Sequence, residues 1–141
     1  MGRAGKAANK TGFPGFRECL AMMHKHDPQI QEDGFHALLP HAAEYVPELM
    51  IAFQQEQEHG LKCWLLESLA EAKSLEAMPM FIEYLYGDDE SLQTWAAYGL
   101  YRIDNKDTLR MLYEASQHTF SDVEETRRFR AMLDQVQQWH K

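Results

Sequence analysis

Residues 77–103 read AMPMFIEYLYGDDESLQTWAAYGLYRI, and the fold is decided in this stretch. Its first half carries Met78, Phe81 and Leu85 at i, i+3 and i+7, the spacing that lays apolar side chains on one stripe of an α-helix. Pro79 falls in the first turn of that helix, where no amide donor is lost. The acidic turn Gly87-Asp88-Asp89-Glu90-Ser91 follows, and its carboxylates suit the N-terminus of a second helix. Leu92, Ala96, Gly99, Leu100 and Ile103 then form a second apolar stripe.

The same design recurs outward from this segment. Val46-Pro47 with Leu49 and Phe53 lies upstream, and Phe13-Pro14 with Phe16 and Leu20 opens the series. Leu109-Arg110 with Leu112, Tyr113 and Ser116 is a fourth copy without proline, and the first positions step by 33, 32 and 31 residues. Partner helices are expected between them. Leu61, Trp64, Leu65 and Leu69 repeat the second stripe one period earlier, and Phe35 with Leu38 or Leu39 marks a looser first copy. The last partner opens at Ser121-Asp122-Val123-Glu124, a capping-box pattern, and carries Phe129, Leu133 and Val136 on one face. A period near 32 with no strand-like alternation predicts an all-α chain of about eight helices in four antiparallel pairs, each burying its apolar face against its neighbours. Residues 1–12 have no apolar face and read as a disordered tail, leaving 13–141 as one repeat domain.

With those residues in hand, the chain resembles the HEAT-repeat family, in particular its short repeats first named from phycobilisome-lyase-like proteins. Ala77-Met78-Pro79-Met80-Phe81, Asp88-Asp89-Glu90-Ser91-Leu92, Ala96-Ala97 and Leu100 match that repeat best, and the resemblance spans roughly residues 13–118. It implies a right-handed α-α superhelix, a HEAT-like solenoid whose second helices line the concave side. Where the family often has Arg in the second helix, this chain has Lys62 and Gln93, so a ladder of stacked Arg–Asp contacts is not expected.

Charge divides the chain unevenly. Residues 1–26 hold five Lys/Arg against one Glu, residues 27–91 hold fourteen Asp/Glu against Lys62 and Lys73, and residues 92–141 balance seven against seven. An acidic middle repels phosphate-bearing nucleic acid and anionic lipid and attracts a basic protein. The alternative is that these carboxylates only solvate helix surfaces. No stretch suggests a membrane span or a signal peptide, so the expectation is a soluble, cytoplasmic chain.

Enzymatic signatures are missing from the sequence. His24, His26, His36 and His41 cluster in sequence, but no HExxH motif or i, i+4 His pair is present, and no metal or cofactor site is expected. Di-iron hydroxylases of HEAT-like build repeat His-Glu pairs, and this chain has no His-Glu dipeptide. HEAT-like DNA glycosylases need a basic groove. Here the basic cluster Arg127-Arg128-Phe129-Arg130 follows Glu124 and Glu125 at salt-bridging spacing. Cys19 and Cys63 lie in helical patterns and read as reduced and half-buried, and no Cys-His nucleophile arrangement is identified.

The expected function is therefore non-catalytic recognition of a basic protein, a toxin-neutralising immunity protein being one form. Glu67, Glu71, Thr94, Tyr98 and Tyr101 are the candidate partner-binding residues, tyrosine beside carboxylate being a composition suited to interface hot spots. The competing reading of Tyr98 and Tyr101 is packing against a neighbouring repeat. Trp64 and Trp95 are expected to pack between repeats. A structural adaptor or chaperone-like scaffold binding a helix or peptide through apolar contacts is the alternative function, and a lyase-like chromophore handler with a large apolar cavity is a third.

Overall fold

In a computed structural model, which describes residues 12–140, the eight α-helices among the described residues pair in succession. Most of the tail expected over residues 1–12 lies outside the described residues. The chain divides into two compact units between Ala72 and Lys73.

In the first unit, α1 (Phe16–Met23) packs on α2 (Pro28–Leu38), and α3 (Val46–Gln55) packs on α4 (His59–Ala72). A 3-10 helix, Leu39–Glu44, links the pairs and touches both α2 and α4. Local chemistry fixes these boundaries. The Asp27 carboxylate accepts the amides of Gln29 (3.0 Å) and Ile30 (3.2 Å), and Pro28 takes the first position of α2. The Glu58 carboxylate accepts the amides of Gly60 and Leu61 at the start of α4. Gly34 is required by close approach: a Cβ there would stand 2.7 Å from Met22 Cβ and 2.8 Å from the Cys19 carbonyl. The expected stripes Val46, Leu49, Phe53 and Leu61, Leu65, Leu69 are all buried. Each fully buried Leu or Phe contributes roughly 1.5–3 kcal/mol against leaving it in water.

In the second unit, a short 3-10 turn, Leu75–Ala77, leads into α5 (Met78–Leu85), which packs on α6 (Glu90–Ile103). The Asp89 carboxylate accepts the Leu92 amide at 3.0 Å, so the acidic turn does cap α6. Leu92, Ala96, Gly99 and Leu100 are buried, with the Phe81 ring against Gly99. α7 (Lys106–Gln117) and α8 (Val123–His140) pack on each other and on α6, making α6 the centre of the unit.

Lys62 and Gln93 both donate to a backbone carbonyl at the end of the preceding helix. The Lys62 ammonium reaches the Phe53 carbonyl at 3.5 Å and lies over the Phe53 ring; the Gln93 amide reaches the Gly87 carbonyl at 2.8 Å. One tether thus recurs in two pairs with different side chains. The helix-pair contacts are consistent with a helical-repeat arrangement.

Four local expectations need correction. Pro14 precedes the helix instead of starting it. Gly15, at φ 120°, caps α1, while Phe13 lies outside the helix, buried and stacked on His41 at 3.9 Å. The buried stripe of α7 is Thr108, Leu112 and Ala115, and Leu109 and Tyr113 face out at 47% and 66% exposure. A capping box between Asn105 and Thr108 starts that helix three residues before Leu109 and sets its register. At α8 the amide of Glu124 is accepted by Asp122, so the cap is the residue after Ser121. Cys19, expected to be half-buried, is fully buried.

Candidate functional site

Glu67 and Glu71 sit one turn apart on α4, both half-buried. Burial pushes the Glu67 carboxyl above its ordinary value, the Glu71 charge pushes it further, and His36 of α2 pulls it down. Lys62, one of the two cations in residues 27–91, is turned inward to Phe53. The Lys62 ammonium is thus committed to α3, while Glu44, Glu56 and Glu90 of this acidic segment have partners in His41, His24 and Arg128.

Thr94, Tyr98 and Tyr101 lie on α6 in the other unit, and the structure separates their roles. Tyr101 is buried, 6.1 Å ring to ring from His140 of α8, and burial followed by the Asp134 charge raises its phenol. Its expected place on an open face is corrected: α8 covers it. Tyr98 is half-buried, set edge-on to Trp95 (5.8 Å) and Trp139 (6.3 Å), with the Arg102 guanidinium 5.9 Å above its ring. Thr94 donates to the Glu90 carbonyl and borders a cleft of about 240 Å³ that also holds the Glu90–Arg128 ion pair at 3.3 Å. The two tryptophans pack as expected, Trp64 stacked on Phe35 at 4.8 Å and Trp95 against Trp139 at 6.1 Å.

Three of the four histidines that cluster in sequence have separate partners. His24 pairs with Glu56, His41 stacks on Phe13 and pairs with Glu44, and His36 lies beside Phe35. Among the described residues no group of three or more His, Cys, Asp or Glu side chains is placed to hold a metal ion. The basic cluster on α8 is engaged: Arg127 pairs with Glu124, Arg128 with Glu90, and Arg130 donates to the His118 carbonyl at 3.1 Å. No described helix is long and apolar enough to cross a membrane.

Sequence reasoning missed one pair. Cys63 Sγ lies 3.8 Å from His59 Nε2 and 4.0 Å from Nδ1. The signal was present as His59-Gly60-Leu61-Lys62-Cys63, an i, i+4 pair on a helix.

No family model, curated protein or solved structure matches this chain, so the resemblance to HEAT repeats rests on its own residues.

Proposed function

We propose that this chain is a non-catalytic binding module of the HEAT-like helical-repeat kind, its pairs winding as a right-handed α-α superhelix, that recognises a basic protein through the acidic face of α4. A basic toxin or enzyme that it neutralises is the favoured partner. The observation that carries the reading is the charge imbalance of residues 27–91, fourteen carboxylates against two lysines, with Lys62 directed inward. Glu67 and Glu71 are the charged contacts. Burial first and the Glu71 charge second hold the Glu67 carboxyl high, and a partner cation docked between the two carboxylates would offset both. Tyr98 and Thr94 are contacts in the second unit, through the part of each left exposed; Tyr101 supports packing only.

A second reading is favoured by α7. Leu109 and Tyr113 stand exposed one turn apart, and Val123 at the start of α8 is 71% exposed. Such a face suits an adaptor that binds a helix through apolar contacts. Calorimetric titration with a Lys-rich helical peptide and with an uncharged amphipathic one separates the two. The favoured function requires tight binding of the basic peptide, lost in Glu67→Lys/Glu71→Lys. Preference for the uncharged peptide, lost in Leu109→Ser/Tyr113→Ser, would establish the adaptor instead.

A further inference from the structure

We propose that Cys63, paired with His59, is a thiol modification site that exchanges with cationic low-molecular-weight disulfides. The two side chains lie on one ridge of α4, and both imidazole nitrogens are within 4.0 Å of the sulfur. Whichever nitrogen carries the proton, the other is a base beside the thiol. The amides at the start of α4 are already satisfied in part by Glu58, so the imidazole, more than the helix end, is the activating group.

Cys63 is half-buried and not part of a disulfide, which leaves the sulfur an approach path. The contrast within the chain is direct. Cys19 is fully buried, and burial pushes its thiol up to about 11, so at neutral pH it is an inert thiol.

The step balances without a further reagent. His59 takes the thiol proton, and the Cys63 thiolate attacks one sulfur of a disulfide RSSR. The S–S bond breaks, a Cys63–S–S–R bond forms, and the departing RS⁻ takes the proton from the His59 imidazolium. Cys63 is oxidised as one half of RSSR is reduced to RSH.

Charge around the pair selects the disulfide. Glu67 lies one turn beyond Cys63 and Glu71 one turn beyond that, with His36 near Glu67 as a counter-charge. Lys62 is adjacent in sequence, but its ammonium is directed to the Phe53 carbonyl. A dicationic disulfide such as cystamine is therefore concentrated at the site, and a dianionic one is repelled.

The test is the rate and stoichiometry of mixed-disulfide formation, read by intact mass, with cystamine and with the dianion of dithiodiglycolic acid. One equivalent per native chain is expected, absent in Cys63→Ser, slowed about tenfold or more in His59→Gln with unchanged circular dichroism. Cystamine should outpace the dianion at least about fivefold at low salt, the gap closing in 1 M NaCl. Equal rates in the parent and in folded His59→Gln, equal rates for the two disulfides at low salt, or modification of Cys19 alongside Cys63 in the native chain would each overturn the proposal. The readout is a covalent adduct on the isolated chain, so its failure is independent of whether α4 binds a basic protein.

Discussion

The imidazole of His24, at the end of α1, meets the carboxylate of Glu56, just past α3, at 2.7 Å. Its other nitrogen donates to the Leu20 carbonyl at 2.8 Å. Carbonyl and carboxylate can only accept, so this geometry is complete when both ring nitrogens carry protons. The pKa of His24 is raised, chiefly by the Leu20 carbonyl; burial opposes this, and the Glu56 carboxylate, with the Glu58 charge, adds to the rise.

The sign of the pH dependence follows. A group whose folded pKa exceeds its unfolded value stabilises fully below the unfolded value, here 6.5, and that stability is lost as pH rises through the raised folded value. The melting temperature should therefore fall as pH is raised from about 6 to about 8. Exchange with solvent screens the half-exposed ring, limiting the effect to under about 1 kcal/mol. His24→Gln should remove this part of the slope, and parallel curves for parent and variant would show that the pair does not contribute.

Gly99 is fixed by Phe81. A Cβ at Gly99 would stand 2.5 Å from the Phe81 Cζ and 2.6 Å from both Cε atoms, and Phe81 is itself fully buried. Overpacking costs typically 1–3 kcal/mol, and the better helix propensity of Ala returns up to about 1. Gly99→Ala should lower stability to urea by about 1–2 kcal/mol, with part of the loss recovered in Gly99→Ala/Phe81→Leu. A variant as stable as the parent would place the α5–α6 approach elsewhere.

Leu100 and Leu109 test the helix registers. Leu100 is fully buried, and an unpaired carboxylate there costs several kcal/mol, a large part of a small domain's stability. Leu109 is 47% exposed. Leu100→Asp should abolish the cooperative thermal transition, whereas Leu109→Asp should leave the midpoint within a few degrees. The reverse order would mean that α6 and α7 present opposite faces from those described.

These cases mark how far the sequence could be read. Leu92, Ala96, Gly99 and Leu100 were legible because helical periodicity is local, and Pro47 and Pro79 begin helices because their chemistry is local too. Leu109 was misplaced because an apolar residue at the right repeat spacing outweighed the quieter Asn105–Thr108 cap that sets the register of α7. Tyr101 was misread for a different reason. Its burial depends on α8, thirty-nine positions later at His140, and no spacing within α6 encodes that contact. Of the candidate site, the acidic pair on α4 was visible as i, i+4 carboxylates. The inward turn of Lys62 needed coordinates, whereas the i, i+4 spacing of His59 and Cys63 was in the sequence and went unread.

The central claim is that the α4 face attracts a basic protein by charge, and association kinetics test it most directly. Surface plasmon resonance with an immobilised Lys-rich helical peptide should be run at about 50 and 300 mM NaCl, spanning a severalfold change in screening. Association to the parent should slow steeply with salt. Glu67→Lys/Glu71→Lys should slow it at low salt and flatten the dependence, with dissociation less affected. Glu32→Lys/Glu48→Lys carries the same change in net charge on α2 and α3, and it should retain most of the parent's rate. Equal losses in the two double variants, or a parent rate indifferent to salt, would contradict recognition through Glu67 and Glu71.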